Sequence, residues 1–260
     1  MGFGTDPPGP INYTLWRNDV WPSREAAIHA NRGLIQGWDP RCVDRMAMYF
    51  FRELPTPLYP DVAAIKARFG MTYDAVTPVT LATSKYQGLI AQIRQNFNAR
   101  EPATGRIKVP RDTHADMDPL VAHIPLYRPE PRSTFRRLET LRPSCLFIVG
   151  EATFLNIDEI HEGVRICGSG IGGSGGVSEG RVKEVILPGL GHLMPFQEVK
   201  TVAETCVTWL QQEMHRFQRM ERKWEDGRKG ISHLIVEKNW YKVLKPISSG
   251  RGKGQRKEKL

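Results

Sequence analysis

Residues 168–176, GSGIGGSGG, satisfy two catalytic patterns at once. Gly172 to Gly176 fit the G-x-S-x-G elbow that lifts a nucleophilic serine above a sheet, which would make Ser174 the nucleophile. Gly168 to Gly173 fit the G-x-G-x-x-G fingerprint that cradles a pyrophosphate. Both patterns need a helix directly behind the glycines. Here GVSEGRVKEVIL follows instead, and its β-branched residues lead into a strand. The spacing to the next histidine, His192, also leaves no room for the strand and acid loop of a serine hydrolase. The stretch therefore reads as a mobile loop feeding a strand.

His192 stands in a better frame. LPGLGHLMP, residues 187–195, runs from the end of an apolar strand through a glycine-rich turn and presents one imidazole just before a helix. Ligand chemistry in open α/β sheets gathers at the carboxyl ends of parallel strands. An imidazole there can take a proton from a nucleophile and return it to a leaving group. A surface histidine in a turn is the plainer alternative.

The elements around it change character along the chain. Up to about residue 125 the pattern is helices and proline-rich turns. Ser23 is placed to cap a helix from Arg24 towards Leu34, and Asp39-Pro40 opens another, with Val43, Met46, Ala47, Phe50 and Phe51 on its apolar face. VTPVTLAT (76–83) reads as extended, LIAQIRQNF (89–97) as helical, and residues 98–120 as irregular. SCLFIVG (144–150) and RVKEVIL (181–187) are strand patterns, the first buried on both faces. A long amphipathic helix carries Val199, Val202, Cys206, Leu210, Met214 and Phe217. The order is that of the closing section of a doubly wound α/β fold. Three regions are expected: a cap-like helical region at 1–125, an α/β core section at 126–222, and a basic, disordered tail at 223–260.

LRPSCLFIVG, GSGIGGSGGVSEGRVKEVILPGLGHLMPFQEV, and upstream NDVWPSREAA, WDPRCVDRM, LPTPLYP and VTLATSKYQ together form a recognisable set. They resemble segments of fungal α/β-hydrolases of toxin and secondary-metabolite biosynthesis, whose peroxisomal members include acyl-CoA hydrolases. The likeness covers most of residues 15–215. It implies a partial α/β-hydrolase fold, a helical cap with the last strands and helix of the parallel sheet, the amino-terminal half of that sheet being missing. It also implies a Ser-His-acid hydrolase of acyl esters or thioesters with no cofactor and no metal. His192 transfers as the general base and acid. The family's nucleophile, oxyanion loop and acid lie further towards the amino terminus, and no residue here aligns with them. Glu151, directly after the LFIVG strand, sits near the acid position of many other α/β-hydrolases; Asp158 is a weaker candidate, in NIDEIHEG, which reads as a solvated helical turn. The expectation is a truncated chain, inactive alone.

Other signals weigh less. The His114-Ala115-Asp116-Met117-Asp118 run has metal-ligand residue types but no second histidine at useful spacing. Trp16, Trp21 and Trp38 are either core residues or the lining of an acyl pocket. The net charge of +9 is concentrated in residues 241–260, which hold seven Lys/Arg and one Glu. Such a tail offers a rival reading, a non-catalytic protein binding RNA or an anionic surface, but no interleaved aromatics accompany it and nucleic acid is not the expected partner. Four well-separated cysteines, no apolar run of about 18 residues and no signal peptide point to an intracellular protein without a transmembrane segment. Glu258-Lys259-Leu260 matches the peroxisomal S-K-L address in two of three positions.

Overall fold

Capping side chains fix the helix starts of the amino-terminal region. The computed structural model describes residues 9–72, 76–97, 101–106, 108–109, 111–117, 125–128, 130–230, 232, 234–244 and 246. After α1 (Gly9–Trp16) and β1 (Val20–Trp21), the Ser23 hydroxyl accepts the Ala26 N–H at 3.1 Å and opens α2 (Arg24–Ala30). The helix expected to reach Leu34 stops earlier. Asn31 donates its side-chain amide back to the Ala27 carbonyl at 2.8 Å, and a separate turn, α3 (Arg32–Ile35), follows. Asp39 and Pro40 open α4 (Pro40–Tyr49) as expected, the carboxylate accepting the Arg41 N–H at 2.9 Å.

Phe50 and Phe51 do not extend the α4 face. The chain turns there into β2 (Phe51–Glu53), burying Phe51 and leaving Phe50 exposed. After α5 (Val62–Arg68), β3 (Val79–Leu81) lies between β1 and β2 in an antiparallel sheet. Trp21, Ala27, Met46, Phe51, Val79 and Leu81 form its core, with the Trp21 and Phe51 rings edge-on at 5.5 Å. A capping box of Ser84 and Gln87 starts α6 (Lys85–Gln92) before the expected position, and Arg94–Gln95 is a strand, β4, paired with β5 (Leu126–Tyr127).

The carboxyl-terminal half contains the expected parallel pair. α7 (Glu130–Arg137) and a 3-10 turn lead to β6 (Cys145–Gly150), then α8 (Ile157–Ile166), then β7 (Val182–Leu187). The strands run in parallel from Cys145↔Val182 to Gly150↔Leu187. NIDEIHEG, which reads as a solvated helical turn, begins the crossover helix, capped by Asn156. Its buried side packs Val164 and Cys167 on Val182, with Phe147, Ile160, Leu138 and Leu141 around them. Leu146, Ile148 and Val185 remain only half-buried. α9 (Met194–Gln197) and α10 (Val199–Arg228) follow, the latter running past Phe217. The architecture is α/β.

The chain divides into two compact units, Met1–Val207 and Thr208–Leu260. In the second, Leu210, Met214, Phe217 and Trp224 are exposed on α10, and α11 (Lys238–Val243) follows. Among the described residues, no helix is long and apolar enough to cross a membrane. Within the expected tail at 223–260, the end of α10 and all of α11 are helical rather than disordered, whereas residues 231, 233, 245 and 247–260, Glu258-Lys259-Leu260 among them, lie outside the described residues.

Candidate functional site at the carboxyl end of the parallel strands

Backbone bonds beyond the ends of β6 and β7 build the loop that carries His192. The Glu151 N–H donates to the Leu187 carbonyl at 3.0 Å, and the Ala152 N–H to the Leu190 carbonyl at 2.9 Å. Gly189 turns the chain with φ +67°, a conformation that favours glycine, and Met194 closes the turn onto the Gly191 carbonyl at 3.2 Å. His192 is exposed at its tip, two residues before α9. Its Nδ1 lies 3.4 Å from the Thr153 hydroxyl oxygen, and the Phe154 ring lies 4.7 Å away at 55°. Thr153 Oγ1 also accepts the Leu155 N–H at 3.3 Å. That oxygen retains a lone pair for an Nδ1 proton, which would leave Nε2 free as a base.

Glu151 reaches the same loop through the backbone of its turn. Its carboxylate accepts the Gly189 N–H at 2.8 Å. Asp158 sits in the first turn of α8 beneath the Asn156 cap. Thr153 and Phe154 were not legible as neighbours of His192. They lie some forty positions away in sequence, and only the parallel register joins them.

The glycine stretch lies at the other end of the strands and is pinned rather than mobile. The Gly168, Gly170 and Ser174 N–H groups donate to Leu138, Glu139 and Leu141 at 2.8, 2.8 and 2.9 Å, and the Arg181 N–H to Gly176 at 2.9 Å. Ser174 is half-buried there, its hydroxyl accepting the Gly176 N–H at 3.4 Å. No helix follows it, and the length of β7, roughly 20 Å at about 3.3 Å per residue, separates that end from the His192 loop. Ser174 is not placed as a nucleophile.

Among the remaining candidates, His114, Asp116, Trp21 and Trp38 have structural partners. His114 meets Thr113 Oγ1 at 2.7 Å and the Gln95 carbonyl at 3.0 Å, and Asp116 pairs with Arg94 at 2.7 Å; Asp118 lies outside the described residues. Among the described residues, no group of three His, Cys, Asp or Glu side chains is placed to hold a metal. Trp21 is core, and Trp16 is exposed. Trp38 stacks on Phe196 of α9 at 4.4 Å and 13°, and the Asp39 N–H donates to the Phe196 carbonyl at 2.8 Å. The segment after His192 is thereby tied to the start of α4.

Known proteins are similar to this chain. No family model matches the chain. Over its whole length it is 82% identical to type I acyl-CoA thioesterase mpaH of Penicillium roqueforti and 76% identical to type I acyl-CoA thioesterase mpaH' of Penicillium brevicompactum. The chain is similar, end to end, to fungal acyl-CoA thioesterases. It spans about 60% of the length of those curated relatives, matching their carboxyl-terminal part. An abhydrolase domain-containing protein of Alternaria alternata, AFT2-1, is 24% identical over 82% of the chain and 69% of its own length. The resemblance to fungal α/β-hydrolases read from the motifs is borne out, and the rival reading as a basic binding protein gains nothing from these matches.

Proposed function

We propose that this chain is the cap and carboxyl-terminal portion of an α/β-hydrolase that cleaves acyl-CoA thioesters, with His192 as its general base and acid. The observation that carries the reading is the position of His192, exposed on the loop beyond β7, in a chain 82% identical to a thioesterase. The division at residues 125 and 222, into cap, core section and basic tail, belongs to the same reading.

In it, a serine from the portion of the relatives that this chain does not match attacks the thioester carbonyl. His192 Nε2 takes the hydroxyl proton and delivers it to the departing thiolate, giving an acyl-serine and a free thiol. The imidazole next draws a proton from water, which attacks the acyl-serine, and the proton returns to serine as the acid leaves. Backbone donors that stabilise the oxyanion, and the acid that orients the imidazole, come from that same portion. Half-buried Leu146, Ile148 and Val185 fit a sheet that continues there.

The test extends the chain with the matching upstream portion of a relative and follows thiol release from an acyl-CoA. His192→Ala should lower kcat about 10³-fold or more, as removal of a triad base does. Full activity in that variant would overturn the assignment. Peroxisomal delivery through Glu258-Lys259-Leu260 is part of the proposal. A fluorescent protein ending in this tail should appear as puncta, and a diffuse signal rejects the address.

A further inference from the structure

We infer that Glu151, seated behind Gly150, is a positioning residue that fixes the loop carrying His192, and that it does not act as the acid partner of the imidazole. The inference rests on the reading of His192 as the catalytic base. Three residues, from the last of β7 into the loop, are held from the end of β6: Leu187 by the Glu151 N–H, Gly189 by the Glu151 carboxylate, and Leu190 by the Ala152 N–H. Two of these are backbone bonds that any residue would supply. The third is charge-assisted and specific to the side chain.

Gly150 makes the close approach possible. A Cβ at this position would overlap the Gly191 and Leu190 carbonyl oxygens and lie 2.9 Å from the Gly191 carbonyl carbon, all backbone atoms that cannot swing aside. The loop therefore lies directly on the end of β6. There the carboxylate one residue on meets the Gly189 N–H at 2.8 Å, and the threonine three residues on meets His192 Nδ1 at 3.4 Å. With its bond made to the backbone of the turn, Glu151 acts on His192 through Gly189. A carboxylate serving as the acid would instead meet Nδ1, where Thr153 stands.

The test uses the full chain, isotopically labelled, and reads the His192 ring resonances by NMR together with amide exchange at Gly189. In Glu151→Ala, Gly189 exchange should rise about tenfold, matching loss of one charge-assisted bond, and the His192 ring signals should shift or broaden. The Trp21 and Phe51 signals should stay in place. Glu151→Gln, which keeps an acceptor without the charge, should move the same signals by less. If the alanine variant does not fold, the glutamine variant carries the test alone. Ring signals that superpose on the parent chain's in whichever variant is read overturn the inference. Neither outcome bears on the hydrolase reading, which stands or falls on thiol release in the His192→Ala enzyme.

Discussion

Gly173 lacks the positive φ of its neighbours Gly172 (+83°) and Gly175 (+97°), yet it should be the less replaceable of the adjacent pair 172 and 173. A Cβ on Gly173 would overlap the carbonyl oxygens of Gly168 and Glu139. Those oxygens accept the Gly175 and Gly170 N–H groups at 2.9 and 2.8 Å, so the methyl cannot be accommodated without loosening the knot. Overpacking costs about 1–3 kcal/mol, and a weakened backbone bond adds about 1 kcal/mol. Gly173→Ala should therefore lose roughly 2–4 kcal/mol, a large share of the ~5–15 kcal/mol that holds a typical domain. That corresponds to a fall in Tm of roughly 4–16 °C. Gly172 faces open space, and its alanine variant meets only the left-handed backbone cost of about 1–2 kcal/mol. Urea melts followed by circular dichroism give both values. A Gly173→Ala midpoint at or above that of Gly172→Ala would refute the reasoning, and with it the view of this stretch as a close-packed knot.

Three further outcomes follow from named contacts. The Tyr59 hydroxyl donates to Asp19 at 2.6 Å beside Lys85 Nζ at 3.6 Å, so Tyr59→Phe should cost about 1–2 kcal/mol in a urea melt. Burial, then the Asp19 carboxylate, raise the Tyr59 pKa, so its share of stability is complete below the unfolded tyrosine pKa of about 10 and is lost as pH rises above it. The parent chain should weaken above pH ~10 more than the phenylalanine variant does. The Arg41 guanidinium and N–H hold the Asp39 carboxyl at about 2, below its unfolded value, so its contribution is present above pH ~4 and disappears as pH falls through 2. The stability gap between the parent and Asp39→Ala should narrow over that window, and a gap constant with pH would assign the effect to shape alone. Burial, followed by the Cys145 thiol, pushes Cys167 up to about 11, so a disulfide reagent at pH 8 should modify Cys42, Cys145 and Cys206 before Cys167. Equal rates at all four thiols would contradict the burial.

What could be read from the sequence depended on the range of the interactions. The parallel strands, the Asp39-Pro40 start and the loop bearing His192 are encoded by neighbours, through apolar runs, a capping side chain and glycines at turn positions. Sequence and structure differ where a distant or competing contact decides. Phe51 continues a helical apolar period, but the helix ends because β3 offers it a partner strand and Trp21 a ring to pack on. Asn31 stops a periodic helix with a bond from its own side chain. The glycine stretch looks mobile by composition, but left-handed turns at 168, 172, 175 and 176 let its amides reach Leu138, Glu139 and Leu141 from thirty positions away. Glu151 also depends on a contact that its sequence neighbours do not encode. The missing side chain of Gly150 lets the opposite loop settle within reach of its carboxylate, which accepts the Gly189 N–H at 2.8 Å. A motif reading assigns chemistry to the residue that carries the charge, whereas here the adjacent glycine determines what that charge can touch.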